Sequence, residues 1–202
     1  MTNRKYLTTL TTRPFLYAET KRVAELLDRG MDSKEIVETV LEENLFQLAS
    51  KDRAERFCSE ILKRLNLLDD YLFRHFLKAD TQTSKAILLY ALLKRDRLFS
   101  EWMREVVWDK FLIMDWIYQK RATESFIARK SEQDDTVTRW IGKTKIVLVR
   151  SYHKLIEDVG MATSTGEELY LQPLIINPEV RTYLINHKEK EIVEVMLGEV
   201  IQ

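Results

Sequence analysis

The sequence is poor in residues that interrupt helices and in residues that cross-link chains. Its 202 residues include only five glycines, three prolines and one cysteine, Cys58. Scarce glycine and proline favour long helices over a sheet with many turns. A single cysteine cannot form an internal disulfide, which fits the reducing conditions of the cytoplasm. We therefore expect a mainly helical, cytoplasmic protein.

Long hydrophobic runs are also missing. The longest unbroken apolar run, Ala86–Leu93, has eight residues, whereas a helix that crosses a bilayer needs roughly 20. The amino-terminal stretch lacks the continuous apolar core of a signal peptide. We therefore expect no association with a membrane.

Sequence signatures of enzymatic activity are absent as well. The chain has no GxxxxGK[ST], GxGxxG or GxSxG motif, and these motifs mark phosphate loops, dinucleotide sites and nucleophile elbows. No histidine stands at zinc-ligand spacing from another histidine or from Cys58, so a structural or surface role is expected for His75, His153 and His187. The pairs Asp69-Asp70 and Asp134-Asp135 stand at predicted helix starts, where acids complement the helix dipole. We expect no enzymatic activity, no metal or other cofactor, and no small-molecule substrate.

The overall charge is balanced, but its distribution along the chain is not. Lys+Arg and Asp+Glu both number 32, so any contact with nucleic acid must come from local clustering. From Thr136 to Ile156 there are no acidic residues and five basic ones: Arg139, Lys143, Lys145, Arg150 and Lys154. The stretch 165–202 has seven acidic residues against three basic ones. A basic segment is therefore followed by an acidic tail.

Helical periodicity organises this basic segment into two faces. An apolar face consists of Leu148, Tyr152, Leu155 and Val159. A basic face consists of Lys143, Arg150 and Lys154. Gly160 can end the helix, and Met161–Pro173 alternates like a short hairpin with its turn at Thr165-Gly166. A helix with these two faces, followed by a hairpin, resembles a winged helix-turn-helix that reads DNA; the alternative is a merely solvated basic surface.

The remaining periodicity predicts an all-α, mainly helical chain with strand only at Met161–Pro173. The other predicted helices are Phe15–Arg29 with Pro14 in its first turn, Ser33–Glu43 with Asp32 and Glu35 as a capping box, a third helix from Ser50 or Asp52 to about Leu67, Tyr71–Lys78, Lys85–Lys94, Leu98–Phe111, Asp115–Arg129, Glu179–His187 and Glu191–Leu197. A short helix from Asp134 or Asp135 to Trp140 precedes the basic helix, with Gly142 as the turn. The polar segment Lys130–Thr136 is the predicted linker between domains 1–130 and 131–202. In the third helix, Arg53, Arg56 and Arg64 alternate with acids, so we expect them on a solvated surface.

The order of several short segments resembles the BrxA family of bacterial BREX phage-defence systems. The segments that carry the resemblance are Phe15 with Glu19, Gly30-Met31-Asp32, Glu42–Leu45, Arg56 to Leu65, Ala86–Lys94, Phe99 to Val107, and Thr144-Lys145 with Leu155–Gly160. The resemblance implies a small all-helical protein whose amino-terminal part is similar to NusB. Together with the two-faced basic helix and its hairpin, this predicts a NusB-like helical bundle followed by a winged helix-turn-helix-like carboxy-terminal part with a short β-hairpin. The resemblance also implies DNA binding and action alongside the other BREX proteins, which include a methyltransferase, an ATPase and an alkaline-phosphatase-like protein.

Three hypotheses about function remain open at this point. The first is a non-enzymatic protein that binds double-stranded DNA through Arg139, Lys143, Lys145, Arg150 and Lys154. The second is a protein–protein scaffold of the BREX complex without direct contact to nucleic acid, which the zero net charge favours. The third is an RNA-binding factor similar to NusB, although the arginine-rich segment through which NusB binds RNA is represented here only sparsely, by Arg4, Lys5 and Arg13.

Overall fold

The fold is built mainly from helices, as the sequence predicts. A computed structural model of the chain describes residues 5–201. The helices are α1 (Tyr17–Asp28), α2 (Ser33–Glu42), α3 (Lys51–Leu65), α4 (Asp70–Lys78), α5 (Thr81–Arg95), α6 (Arg97–Trp102), α7 (Asp109–Leu112), α8 (Arg121–Gln133), α9 (Asp135–Thr138), α10 (Gly142–Val159), α11 (Pro178–His187) and α12 (Lys190–Leu197). A short 3-10 turn, Thr9–Thr11, precedes α1. The mainly helical class is confirmed, whereas the NusB-like and winged helix-turn-helix descriptions stay predictions.

Capping side chains set many of the helix starts where the sequence predicts them. Asp32 forms a capping box with Glu35 at the start of α2, which satisfies amide groups that the first turn leaves unpaired. Asp134 caps α9 by accepting from the backbone of the next turn. Asp80 caps α5, which begins at Thr81, and its carboxylate accepts from the Thr83 amide at 2.9 Å.

Helix α5 forms the centre of the core. Every residue of Ala86–Leu93 is buried, and α5 packs against α3, α4, α6, α10 and α12. Fully burying one Leu or Ile side chain stabilises a fold by about 1.5–3 kcal/mol. The apolar run that is too short for a membrane is therefore the central helix of this bundle. Within the described residues, no helix combines the length and apolar character needed to span a bilayer.

The three strands form one antiparallel sheet in the order β1-β3-β2. The strands are β1 (Ile117–Gln119), β2 (Ala162–Thr165) and β3 (Glu168–Leu171). Strands β2 and β3 form the predicted hairpin directly after α10, and Gly166 in its turn has a positive φ of 59°. The side chain of Lys120 donates to Ser164 Oγ and to the Gly166 carbonyl oxygen, both at 2.6 Å, so the hairpin turn is fixed to the end of β1.

Three predicted helix boundaries are wrong. The segment Asp115–Arg129 is not one helix, because Ile117–Gln119 pairs with β3 and buries Tyr118 completely; this long-range pairing outweighs the local helical pattern. Pro14 lies outside α1, since Leu16 adopts a positive φ of 53° immediately before the helix. Gly142 begins α10 and is not the turn before it.

A π-helical segment, Met103–Trp108, joins α6 to α7 inside the predicted sixth helix. Glu105 in this segment accepts hydrogen bonds from Arg129 at 2.7 Å and from Lys130 at 2.6 Å. Lys130 also pairs with Glu101 at 2.7 Å and is buried. The π segment therefore holds α8 in place, and α8 leads directly into α9 and α10.

The predicted linker Lys130–Thr136 is largely helical. Its first residues complete α8, and Asp135 begins α9. Elements on the two sides of residue 130 also pack together: β1 pairs with β3, and α5 contacts both α10 and α12. The division into domains 1–130 and 131–202 stays a prediction.

Candidate nucleic-acid interface

Helix α10 is held against the core by the apolar face that the sequence predicts. Leu148, Tyr152, Leu155 and Val159 are all at most 1% exposed. The Tyr152 ring packs against Phe99 and Trp102, with 5.1 Å between ring centroids in both pairs. Gln82 donates to the Val159 carbonyl oxygen at 2.9 Å. The helix therefore cannot rotate about its axis without exposing these side chains, so its opposite face is presented in a fixed direction.

His153 belongs to the buried face of α10 and not to its basic face. Its Nε2 lies 2.6 Å from the Thr123 hydroxyl oxygen on α8. Burial lowers the pKa of His153 to about 4, and the nearby positive charge of Lys120 contributes to the same shift. The imidazole is therefore neutral at pH 7 and adds no charge to the surface. Of the two roles expected for His153, structural or surface, this geometry supports the structural one.

Four of the five basic side chains of this region are exposed. Arg139, Lys143, Arg150 and Lys154 are exposed, and Lys145 is half-buried. Arg139 directly follows α9, and the other four lie on α10. The structure therefore places four of the five predicted residues on α10 and Arg139 just after α9, with Lys143, Arg150 and Lys154 on the face opposite Tyr152.

Ion pairing distinguishes Lys154 from the other basic residues. Lys154 Nζ lies 2.9 Å from Asp158 Oδ1, and this hydrogen bond raises the pKa of Lys154. Among residues 5–201, no ion pair engages Arg139, Lys143, Lys145 or Arg150. These four cations are free to neutralise an external anion, while Lys154 must first share or leave Asp158.

Two exposed apolar residues accompany the cations at the start of α10, and sequence reasoning missed them. Ile141 is 67% exposed and Ile146 is 54% exposed. Helical periodicity identifies the buried stripe alone, and an exposed isoleucine carries no local signal of its own. Apolar side chains next to lysines can contact the methyl group of thymine in a DNA groove.

The hairpin after α10 does not continue the basic surface. Its exposed residues include Thr163, Ser164 and Thr165, while Glu167 and Glu168 stand at the turn and the start of β3. Carboxylates repel phosphates, so this turn is unsuited to follow a nucleic-acid backbone. Any phosphate contacts from this part of the chain must come from α10 and the residues just before it.

One member of each acidic pair, Asp69 and Asp134, makes contacts within the fold, and so do the remaining histidines, His75 and His187. Asp69 caps α4 and accepts a hydrogen bond from Tyr183 at 2.9 Å. His75 stacks on Tyr71, with 4.1 Å between ring centroids. Within the described part of the chain, no group of three or more His, Cys, Asp or Glu residues is arranged to hold a metal ion.

One predicted surface residue is buried. Arg64 is 0% exposed and donates to the carbonyl oxygens of Arg13, Pro14 and Phe15 at 2.6, 2.7 and 3.1 Å. The prediction of a solvated Arg53, Arg56 and Arg64 surface is therefore wrong for Arg64, because the periodicity that spaces α3's apolar residues also turns this position inward. Arg53 and Arg56 are exposed as expected.

The chain matches a known family over most of its length. The model of the BrxA family matches residues 4–188. The chain belongs to the BrxA family. A protein of Bacillus cereus named BREX protein BrxA is 30% identical to it over 96% of this chain and 97% of the relative. An Escherichia coli protein of the same name is 20% identical over 92% of this chain and 86% of the relative. BrxA is thus a component of BREX systems, as the resemblance in the sequence implies.

A solved structure supports the fold of this BrxA-family chain. The crystal structure of an uncharacterized protein from Magnetospirillum magneticum superposes with a TM-score of 0.82. The match covers 97% of this chain and 100% of the other, at 20% sequence identity. At this identity the likeness concerns the fold alone, so the role of α10 has to be inferred from its own residues.

Proposed function

We propose that this chain is a non-enzymatic component of a BREX phage-defence system that binds double-stranded DNA through α10. The residues proposed to contact DNA are Arg139, Lys143, Lys145, Arg150 and Lys154. The observation that carries the proposal is the combination of a buried apolar face with four exposed cations, three of which (Arg139, Lys143 and Arg150) make no ion pair among the described residues. A rigidly held helix with such a face can enter the major groove or lie along the phosphate backbone.

Phosphate contacts should dominate the affinity. Each lysine or arginine that neutralises a phosphate releases condensed counterions, so binding weakens steeply as salt rises. Sequence preference requires contacts to base edges as well. Lys143, Lys145 and the exposed Ile141 and Ile146 lie at the start of α10, where a recognition helix meets the bases. We therefore expect strong salt dependence and a modest sequence preference.

A gel-shift series tests this proposal against the RNA-binding alternative. The pure protein is titrated into duplex DNA, single-stranded DNA and RNA of matched length at several salt concentrations. Tighter binding to duplex DNA, abolished at high salt, supports the proposal. Preference for RNA would instead support an antitermination-like factor, and absence of binding to all three would support the scaffold.

An exposed apolar patch favours the scaffold as a second candidate function. The patch surrounds β1 and comprises Leu112, Ile113, Met114, Trp116, Ile117 and Tyr170, each between 42% and 76% exposed. Contiguous exposed apolar residues commonly mark protein–protein contacts. We propose that other BREX proteins contact the chain here, and the two candidate functions are compatible because the patch and α10 use different residues.

Co-purification tests the scaffold function. Ile113→Asp/Ile117→Asp changes only exposed side chains, so the fold is expected to persist. If the patch is an interface, this variant loses co-purification with the other proteins of the same BREX system but keeps DNA binding. Ile175→Asp is the matched control, because Ile175 is 85% exposed and lies outside the patch. Equal co-purification of both variants would rule out the patch as the interface.

The non-enzymatic part of the proposal is tested with plasmid DNA. Pure protein is incubated with supercoiled plasmid and magnesium or manganese, and no nicking is expected. Cleavage that disappears when Asp69, Asp70, Asp134 or Asp135 is changed to Asn would overturn it.

A further inference from the structure

A cavity of about 360 Å³ with a basic lining opens between the turn before α1 and the start of α3. Its charged lining residues are Arg13, Arg53 and Arg56, and no acidic residue lines it. The exposed residue Thr12 lines the same wall. We call this cavity the arginine pocket. It shares none of the residues proposed to contact DNA on α10.

The three arginine side chains differ in the contacts that they make within the protein. Arg13 makes no side-chain hydrogen bond or ion pair among residues 5–201, and its Nε is buried without an acceptor. Arg53 lies over the Phe57 ring, with 5.0 Å between the guanidinium carbon and the ring centroid. Arg56 pairs with the exposed Asp52 one turn earlier. Three cations against one carboxylate leave the pocket with an excess of positive charge and with unused hydrogen-bond donors.

Buried Arg64 fixes the wall that carries Arg13. Its guanidinium donates to the carbonyl oxygens of Arg13, Pro14 and Phe15. Arg64 Nε also lies 3.5 Å from Glu60 Oε1. Burial lowers the pKa of Arg64 to about 10, so the guanidinium stays protonated at neutral pH. The backbone on one side of the pocket is therefore held by a charged group from inside the core, and the pocket is formed before any ligand arrives.

We propose that the arginine pocket binds a phosphate group. A guanidinium group can donate two parallel N–H hydrogen bonds to two oxygens of one phosphate. Such charge-assisted hydrogen bonds are roughly twice as strong as hydrogen bonds between neutral groups. The phosphate can belong to a free ion or nucleotide, or to the backbone of a nucleic acid. The second source is included in the test because the Thr9–Thr11 turn beside the pocket also packs against α10.

The test is a titration of the full chain with inorganic phosphate, with adenosine 5′-monophosphate and with a short DNA duplex. Binding is followed by calorimetry and by the NMR signals of the arginine Nε–H groups. Arg13→Gln/Arg53→Gln removes two charged guanidinium groups from the pocket. The matched control is Arg29→Gln/Arg74→Gln, which removes the same charge from exposed positions outside the pocket. Circular dichroism and thermal unfolding establish that each variant is folded.

We expect the wild type and the control variant to bind phosphate saturably. This binding should shift the NMR signals of the Nε–H groups of the pocket arginines. The pocket variant should bind at least about tenfold more weakly, since each charge-assisted hydrogen bond contributes at least that factor. Duplex DNA that displaces phosphate identifies the backbone as the source, and failure to displace it identifies a free phosphate. The single variant Arg56→Gln, at an exposed position, gives a second reading if the double variant does not fold.

Two results would overturn the proposal: no saturable binding of inorganic phosphate or adenosine 5′-monophosphate and no shift of pocket arginine signals by DNA, or equal binding of inorganic phosphate by the pocket and control variants. Either result leaves the proposed role of α10 untouched, because duplex DNA can still bind through Arg139, Lys143, Lys145, Arg150 and Lys154, which the pocket variants retain. Conversely, loss of DNA binding only in α10 variants would leave the pocket as a separate phosphate site.

Discussion

Replacing the buried Arg64 by alanine should destabilise the protein strongly. The substitution leaves three carbonyl oxygens, of Arg13, Pro14 and Phe15, without their donor inside the fold. Glu60 loses one partner but keeps Arg95 at 3.4 Å. Breaking a buried ion pair costs about 3–5 kcal/mol, and each unsatisfied buried acceptor costs about 1–3 kcal/mol. These costs overlap, so we expect a decrease of about 3–5 kcal/mol in the free energy of unfolding.

Urea denaturation monitored by circular dichroism measures this decrease as a lower midpoint at an unchanged slope. Arg56→Ala on the same helix is the matched control. Its ion pair with Asp52 is exposed, and such pairs contribute about 0–1 kcal/mol. If Arg64→Ala were as stable as Arg56→Ala, the buried guanidinium would not hold the turn before α1, and the arginine pocket would not be preformed.

Three further predictions concern α10. The pKa of His153 is lowered to about 4 in the folded protein. The stability that the neutral imidazole gives the fold is therefore complete above pH 6.5 and is lost as the pH falls toward 4. Urea denaturation at each pH should show that His153→Gln removes about 3 kcal/mol of this pH dependence. Asp158→Ala should release Lys154 from its ion pair with Asp158 and so tighten DNA binding at low salt. An unchanged or weaker affinity in a gel shift would exclude Lys154 from the interface. Gly160→Ala should cost about 1 kcal/mol in thermal unfolding, since φ there is +94°; equal stability would contradict that strain.

Local signals predicted the helices well where the chain supplies its own caps. The Asp32 capping box, the Asp134 cap and the left-handed Gly160 all act between residues close in sequence. The buried stripe of α10 was also predictable, because a period of 3.6 residues decides which side chains share a face. Such features need no knowledge of the rest of the fold.

Features that depend on distant residues were not predictable in this way. Strand β1 exists because Tyr118 and its neighbours pair with β3, some fifty positions later along the chain. Arg64 is buried because the backbone of Arg13–Phe15 offers it three acceptors, and those residues are remote from it in sequence. The arginine pocket likewise joins two segments that the sequence separates. At the proposed interface, the five cations were predicted, but their ion pairing and the exposed isoleucines required the structure.

The salt dependence of DNA binding by Lys143→Ala/Arg150→Ala/Lys154→Ala tests the central claim most directly. The wild type should lose affinity steeply with salt, and the triple variant should have a slope smaller by roughly 0.9 for each phosphate that it no longer neutralises. The control triple Arg29→Ala/Arg74→Ala/Lys78→Ala removes equal charge from exposed positions elsewhere and should keep the wild-type slope. Equal slopes for the wild type and the α10 variant, or a flatter slope only for the control, would contradict the proposal that α10 is the DNA-binding helix.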